Sequence, residues 1–431
     1  MARILPFKGI LYNKQKVKNL ETVVAPPYDV ISDRMRDEFY KLSPHNIVKI
    51  ILGKECSGDN GSNNKYTRAA DFLNKWLEEE VLSKDRKAAM YIYEQKYLHK
   101  GKVKKRIGFI SLMKLEDPAD SLVLPHEYTF SEPKEDRLNL IRQTKANTSP
   151  IFCIFQDDLS RVTNRLKRYS ETRRPIADIS FEGAGHKLWR IADCEMIKMI
   201  KIEFDKKQVF IADGHHRYET ALAFRNEMKA RRGKRRRGKF DNIMVYFSSM
   251  ADESLTILST YRVIKNIGDI KWSILRKKLS PYFNIENLKS KSEMFKRLER
   301  TKKEYTFGVY FKNRRFYLLR LKNESILDDV IKVNKSRHWK RLGITVLHFL
   351  IFERILHVDK FSPGNDNIIY TRDDAHAVDL VDNGACEIAF FQLPTKVIQV
   401  KNIARDGDRM PQKSTYFYPK LLTGLVLNKL Q

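Results

Sequence analysis

The residues best equipped for chemistry lie in one stretch: Val209-Phe210-Ile211-Ala212-Asp213-Gly214-His215-His216-Arg217-Tyr218-Glu219-Thr220-Ala221. Gln208 to Ala212 reads as a buried strand and Asp213-Gly214 as a turn. From His215 onward Tyr218, Ala221, Leu222 and Arg225 recur at helical spacing. A chain that leaves a strand and starts a helix presents unsatisfied backbone N–H groups and a partial positive charge, which favour an anion, phosphate above all. Gly214 has no Cβ to hold a ligand off the backbone. Arg217, in the first helical turn, can bond phosphate oxygens in pairs, and His215 and His216 add donors. Asp213 would repel a phosphate unless it holds a metal such as Mg²⁺ or takes a substrate proton. The simpler account makes Asp213 a helix N-cap and the histidines surface residues. It leaves two histidines and an arginine in one turn without a role. Zinc is disfavoured, because adjacent histidines do not face one ion and no further ligand follows at helical spacing.

Other clusters could complete such a site. Ala25-Pro26-Pro27 is a stiff, extended lead-in that would fix Tyr28 and Asp29, or simply enter a helix capped by Ser32. After an apolar strand, His126 and Glu127 form a candidate acid/base or metal pair, with a solvated loop as the alternative. The Lys145–Pro150 loop offers Asn147, Thr148 and Ser149 to a nucleotide or amino acid substrate. Lys413, Ser414 and Thr415 are candidate phosphate contacts from a second segment. They do not form a Walker A loop, which needs glycine before the lysine. For proton transfer the candidates are Asp213, His216, Asp29 and Glu127.

The elements around these residues alternate in type. Ala89–Tyr97 and Arg106–Leu115 read as neighbouring strands across a Lys100-Gly101 turn, and Tyr305–Phe311 with Arg315–Leu321 as a hairpin. Pro150–Phe155, Asn242–Ser248, Leu255–Val263 and Glu387–Leu393 read as strands. Glu135–Lys145 and Ile344–His357 read as helices. The expected class is mixed α/β, or α+β, with residues 1–263 holding the site and residues 264–431 forming a C-terminal domain with its own mixed sheet that contributes to it. A chain of 431 residues with 42% hydrophobic and 31% charged residues is globular in profile. No apolar run is long enough for a bilayer, no signal sequence opens the chain, and the four cysteines lie far apart. A cytoplasmic protein with no membrane partner is expected. The net charge of +29 favours anionic partners, but the lysines are spread along the chain rather than gathered on one face. The one dense run, Lys229–Lys239, reads as a solvated loop that ends the preceding helix.

Gly214-His215-His216-Arg217 between strand and helix resembles the phosphate box of the ParB/sulfiredoxin superfamily, which reads Gly-Glu-Arg-Arg in ParB proteins and Gly-Cys-His-Arg in sulfiredoxins. Members bind CTP, ATP or ADP, and the branch of free-serine kinases also begins its box Asp-Gly-His. Over nearly its whole length the chain also resembles the prokaryotic family called domain of unknown function 1015. The likeness rests on Val24–Ser32, Pro125-His126-Glu127, Pro133–Leu138, Ala146–Phe152, the Gly214 corner, Leu255–Arg262 and Arg409–Leu421. Ser259-Thr260-Tyr261-Arg262 departs from it, since that family usually has Pro-Thr-His-Arg there. These resemblances imply a ParB/sulfiredoxin-like core and ATP or ADP with Mg²⁺ as cofactor. They further imply phosphoryl transfer to a small hydroxyl metabolite, free serine foremost. Two alternatives use the same corner: a nucleotide-gated nucleic-acid-binding protein, though no helix–turn–helix pattern follows the box, and a phosphatase or phosphometabolite sensor.

Overall fold

A computed structural model describes residues 3–117, 121–129, 131–205, 207–232, 237–268, 270–301, 305–358 and 367–430. The described chain is mixed α/β and divides into two compact units. Met1–Pro125, Thr129–Thr256 and Pro419–Gln431 make up the first, His126–Tyr128 and Ile257–Tyr418 the second.

In the first unit, nine strands among the described residues form one sheet. They are β1 (Ile4–Leu5), β2 (Met90–His99), β3 (Lys102–Lys114), β4 (Val123–Leu124), β5 (Ile151–Phe155), β6 (Ala177–Phe181), β7 (Ala184–Ile191), β8 (Val209–Asp213) and β9 (Asn242–Ser249). The order is β4-β8-β5-β9-β3-β2-β7-β6, with β1 beside β3. β2 and β3 are the expected hairpin. Its turn places Lys100 at φ 50° and Gly101 at φ 74°, the left-handed pair that a two-residue hairpin needs. β8 lies antiparallel to β5, and β9 runs parallel to β5, so the corner after β8 sits in the middle of a mixed region.

Helices supply the apolar cover. α1 (Lys65–Glu78) is capped by Asn64, whose side chain accepts from Tyr66 N and Thr67 N, so the polar Gly58–Lys65 insert ends as a helix start. α2 (Ser131–Thr144), α3 (Arg161–Glu171), α4 (Cys194–Phe204) and α5 (His215–Arg232) follow. Phe204 of α4 meets Phe109, Phe155 and Phe247 of the sheet at ring separations of 5.2, 4.5 and 4.9 Å. Full burial of each such ring is worth about 1.5–3 kcal/mol. The last segment of the chain is stitched into this unit. Leu427 exchanges backbone bonds with Ile10, Thr423 with Ala25, and Asn428–Lys429 pairs with Ala146–Asn147.

The second unit holds a six-stranded sheet among its described residues, antiparallel throughout: β10 (Tyr261–Ile264), β11 (Phe283–Leu288), β12 (Thr306–Phe311), β13 (Arg315–Leu321), β14 (Ile368–Thr371) and β15 (Ile388–Gln392), in the order β11-β13-β12-β15-β10-β14. Its core gathers Met294 and Leu298 of α6 (Lys291–Arg300) and Ala377 and Val381 of α7 (Asp374–Asp382) against that sheet.

Three expectations change. Leu255–Val263 is not one strand: pairing stops after Ile257 and resumes at Tyr261. Ile344–His357 is helical but winds as an α-turn over Gly343–Val346 and then as a π-helix over Leu347–Ile355. The basic run does not begin as a loop. α5 continues to Arg232, because Lys and Arg are good helix formers and Gly233 is the first residue of the run that is not. Residues 233–236 of that run lie outside the described residues. No helix among the described residues is long and apolar enough to cross a membrane, and all four cysteines are free thiols.

Gly108, in the middle of β3, marks the tightest point of the sheet. A Cβ there would stand 2.1 Å from Phe247 O and 2.6 Å from Tyr246 Cζ. Gly108→Ala is expected to cost about 1–3 kcal/mol through overpacking, read as a lower urea midpoint at unchanged m value.

Candidate functional site

The strand–turn–helix read from the sequence is present: β8 ends at Asp213, Gly214 turns, and α5 begins at His215. The pairing of β8 with β5 shifts register between Ile211 and Asp213, leaving Ala212 as an extra residue. Such a bulge re-aims the side chains beyond it. Gly214 takes φ +90°, and a Cβ there would come within 2.8 Å of Ile151 Cγ2 and 2.8 Å of Arg217 Nη2, so both conformation and space require glycine. Tyr218 N closes the first helical turn on Gly214 O at 3.0 Å. The first turn carries no acidic residue, so no side-chain carboxylate there neutralises its amides. His215 is buried and His216 half-buried.

Asp213 is held between two cations. Arg217 Nη2 donates to its Oδ2 at 2.9 Å, and Lys420 Nζ donates to its Oδ1. Arg217 Nη1 also donates to Ser149 Oγ at 2.9 Å and to Pro150 O at 2.6 Å. Three of the five guanidinium N–H groups are thus assigned, and two remain to meet a ligand. Burial pushes the Asp213 carboxyl upward, but Lys420, Arg217 and, further off, Arg106 outweigh it and hold it below the usual carboxylate value. Arg106 on β3 is fully buried. Its Nη2 donates to Gln95 Oε1 and to Pro419 O at 2.6 Å, and its guanidinium stacks 4.9 Å from the Phe152 ring. Lys420, Arg217 and Arg106 thus all act on the Asp213 carboxyl. Nearby His186 is kept neutral, its pKa lowered to about 4 by burial and by Arg106.

Beside Arg217 opens a cleft of about 50 Å³, lined among others by Tyr28, Arg137, Asn147, Thr148, Ser149 and Thr220. A space of that size takes one small group rather than a whole nucleotide. The Tyr28 ring lies 4.1 Å under the Arg137 guanidinium, and burial, partly countered by Arg137, pushes its hydroxyl up to about 12. Arg137 is itself tied to Asp136 and to Ile51 O. Asn147 is committed to structure, since its Oδ1 accepts from Met244 N at 3.2 Å and Asn428 Nδ2 at 3.1 Å. Asp29, next to Tyr28, points to solvent as an exposed residue of a short 3-10 turn. Both Asp213 oxygens are engaged, so a Mg²⁺ ion there would have to displace Lys420 or Arg217. Among the described residues no cluster of three or more metal-ligating side chains forms.

The remaining candidates belong to the second unit. There His126, fully buried, shares a hydrogen bond with Thr415 Oγ1 at 2.9 Å through its Nε2, and Lys413 N donates to Glu127 Oε1 at 3.3 Å. Ser414 Oγ donates to Pro411 O. Lys413 adopts φ +53°, a left-handed conformation that costs a non-glycine residue energy. Buried Arg262 holds this turn by donating to Gln412 O and Lys413 O at 3.3 and 3.0 Å. Two candidate groups read separately from the sequence, His126-Glu127 and Lys413-Ser414-Thr415, thus meet in one local structure, which Arg262 anchors.

Two further residues escaped the sequence reading: Lys420 and Arg106. Arg106 carries a signal, being a charge that opens the otherwise apolar Ile107–Met113 strand. Lys420 carries none that spacing could reveal.

The family model described as protein of unknown function (DUF1015) matches residues 4–345. No curated protein matches the chain. Among solved structures, a conserved hypothetical protein from Pyrococcus furiosus is 10% identical, covers 72% of this chain and 92% of its own, and has a TM-score of 0.33. A free serine kinase in complex with AMP is 10% identical over 72% of this chain and 86% of its own, with a TM-score of 0.33. SbnI with a C-terminal truncation, from Staphylococcus aureus, is 9% identical over 73% and 85%, with a TM-score of 0.34.

The depressed Asp213 pKa has a signed consequence. Its contribution to stability is complete above the ordinary carboxylate value of about 4 and is lost as pH falls through the lower folded-state value. In urea unfolding followed from neutral to acid pH, Asp213→Asn should be clearly less stable than the native protein at neutral pH, and the gap should shrink on acidification. A gap that stays constant with pH would mean that Asp213 is not the ionised anchor described above.

Proposed function

Since the chain belongs to the DUF1015 family of proteins of unknown function, a description that assigns no activity, we propose a function from the chemistry of the corner together with what the resemblance of its Asp213-Gly214-His215 box implies: nucleotide-dependent phosphoryl transfer to a small hydroxyl metabolite, with free serine, the acceptor that the likeness to free-serine kinases implies, foremost. The observation that carries this reading is the Asp213 carboxylate paired with Arg217 and Lys420 and lowered further by Arg106, at the start of α5, whose first turn holds no acidic residue. Phosphoryl transfer needs little covalent chemistry from the protein. It needs positioning and neutralisation of the charge on the moving group.

In this reading the amides that follow Gly214 and the remaining donors of Arg217 take the phosphate oxygens. Lys420 neutralises charge on the same group. Asp213, locked by both cations, orients them rather than serving as base. His216, half-buried on the first helical turn, accepts the proton of the acceptor hydroxyl. The cleft lined by Tyr28, Thr148, Ser149 and Thr220 receives the acceptor's hydroxyl end, because its hydroxyl groups and its size suit one small polar group. ATP or ADP would be the donor, and Mg²⁺ bound with the nucleotide would supply charge neutralisation on its phosphates.

The protein mixed with ATP or ADP, Mg²⁺ and serine is expected to form phosphoserine, detected by mass spectrometry. Arg217→Lys keeps the charge but loses the fork that joins Asp213, Ser149 and Pro150, and should lower kcat/KM about a hundredfold. Absence of phosphoserine with both nucleotides would remove serine as the acceptor. Unchanged turnover in Arg217→Lys would remove the corner as the phosphate site.

A further inference from the structure

The second unit contains a larger cavity, of about 340 Å³, that the proposed reaction does not use. Small-molecule sites typically start at about 300 Å³, so it has room for a metabolite. Phe307, Leu342 and Ile344, all buried, give it an apolar wall. Gln392, the last residue of β15, pairs across the sheet with Phe307 and also lines it. Gln392 is only 8% exposed, and its buried Oε1 has no hydrogen-bond partner. An unpaired buried acceptor costs about 1–3 kcal/mol, a cost that a donor on a bound molecule would remove.

The opposite rim is electropositive. Lys396 and Gln399 line the cavity at the start of the nine-residue helix Val397–Arg405. Lys396 occupies the N-cap position, and an ammonium has no lone pair with which to accept from the first-turn amides. Its own N–H donates to Gln399 Oε1 at 2.8 Å, which fixes the first turn. The helix start and the Lys396 charge therefore point the same way, toward a carboxylate.

We propose that this cavity binds a small carboxylate with an apolar side chain and an α-amino or α-hydroxyl group. Its carboxylate would meet Lys396 and the helix start, its α-donor the Gln392 carbonyl, and its side chain the Phe307–Leu342–Ile344 wall. The chemistry is shared by apolar α-amino acids and α-hydroxy acids, and three probes separate the sources of affinity: L-leucine, 2-hydroxyisocaproate and isocaproate, which lacks the α-donor.

The test is calorimetric titration of the full chain with each probe. L-leucine, 2-hydroxyisocaproate or both should bind, and isocaproate about tenfold more weakly. Whichever of the first two binds tells an amino acid site from a hydroxy acid site. Lys396→Glu reverses the charge of an exposed residue and should weaken the binding probes about tenfold or more. Gln392→Met removes the acceptor at similar volume and should level the α-substituted probe with isocaproate. Circular dichroism of both variants verifies the fold. No heat with any probe, or equal affinity in native protein and Lys396→Glu, would overturn the assignment. Because the titration contains no nucleotide, its outcome is independent of the phosphoryl-transfer assay.

Discussion

One carboxylate organises the first unit's polar centre. Lys420 and Arg217 hold the buried Asp213 carboxyl toward its ionised form, and Asp213 accepts a hydrogen bond from each of them. Arg217 in turn fixes Ser149 and the Pro150 carbonyl. The loop after α2, the bulge at the end of β8 and the first turn of α5 are thereby held in one arrangement. Gly214 permits this closeness, because a Cβ there would collide with Ile151 and with the Arg217 guanidinium. A local motif of a dozen residues thus depends on a lysine far along the chain.

The division of labour within the corner follows from charge and burial. Arg106 is fully buried on β3, donates to Gln95 and to the Pro419 carbonyl, and acts on Asp213 through its charge. Arg217 contributes geometry as well as charge, because its planar fork spans three acceptors. Lys420 contributes a point charge. The same logic recurs in the second unit without a carboxylate. Buried Arg262 supports the strained Lys413 turn through carbonyl groups, and its pKa is lowered to about 10 by burial. A cation held by neutral dipoles alone keeps its appetite for an anion, whereas one paired to a carboxylate has much of it satisfied.

Much of the local structure was legible in the sequence. The β2–β3 hairpin, β5, β9, the β12–β13 hairpin and the strand–turn–helix at Gly214 all follow from apolar patterning and turn residues that act over fewer than about ten positions. Tyr28, Thr148, Ser149 and Arg217 were singled out by type, and the structure brings them to one cleft. What stayed hidden is non-local or changes no residue spacing. The Asp213–Lys420 pair spans 207 positions, and no linear period encodes such a contact. A π-helix over Leu347–Ile355 keeps an apolar face and so reads as an ordinary helix. The partners of Asn147 were equally hidden: it lines the cleft, but its Oδ1 accepts from Met244 N and Asn428 Nδ2. Type and loop position alone do not say which partner a polar side chain has found.

The return of residues 419–431 to the first unit also sets a timetable. A ribosome releases Asp213 and Arg217 early, but Lys420 emerges only after the whole second unit has been made. Until then the corner holds a buried carboxylate with one of its two tethered cations missing. Closing so long a loop is entropically slow. The nascent protein therefore carries an incompletely paired Asp213 until the second unit has been made, and the pair is completed only by a residue translated after it.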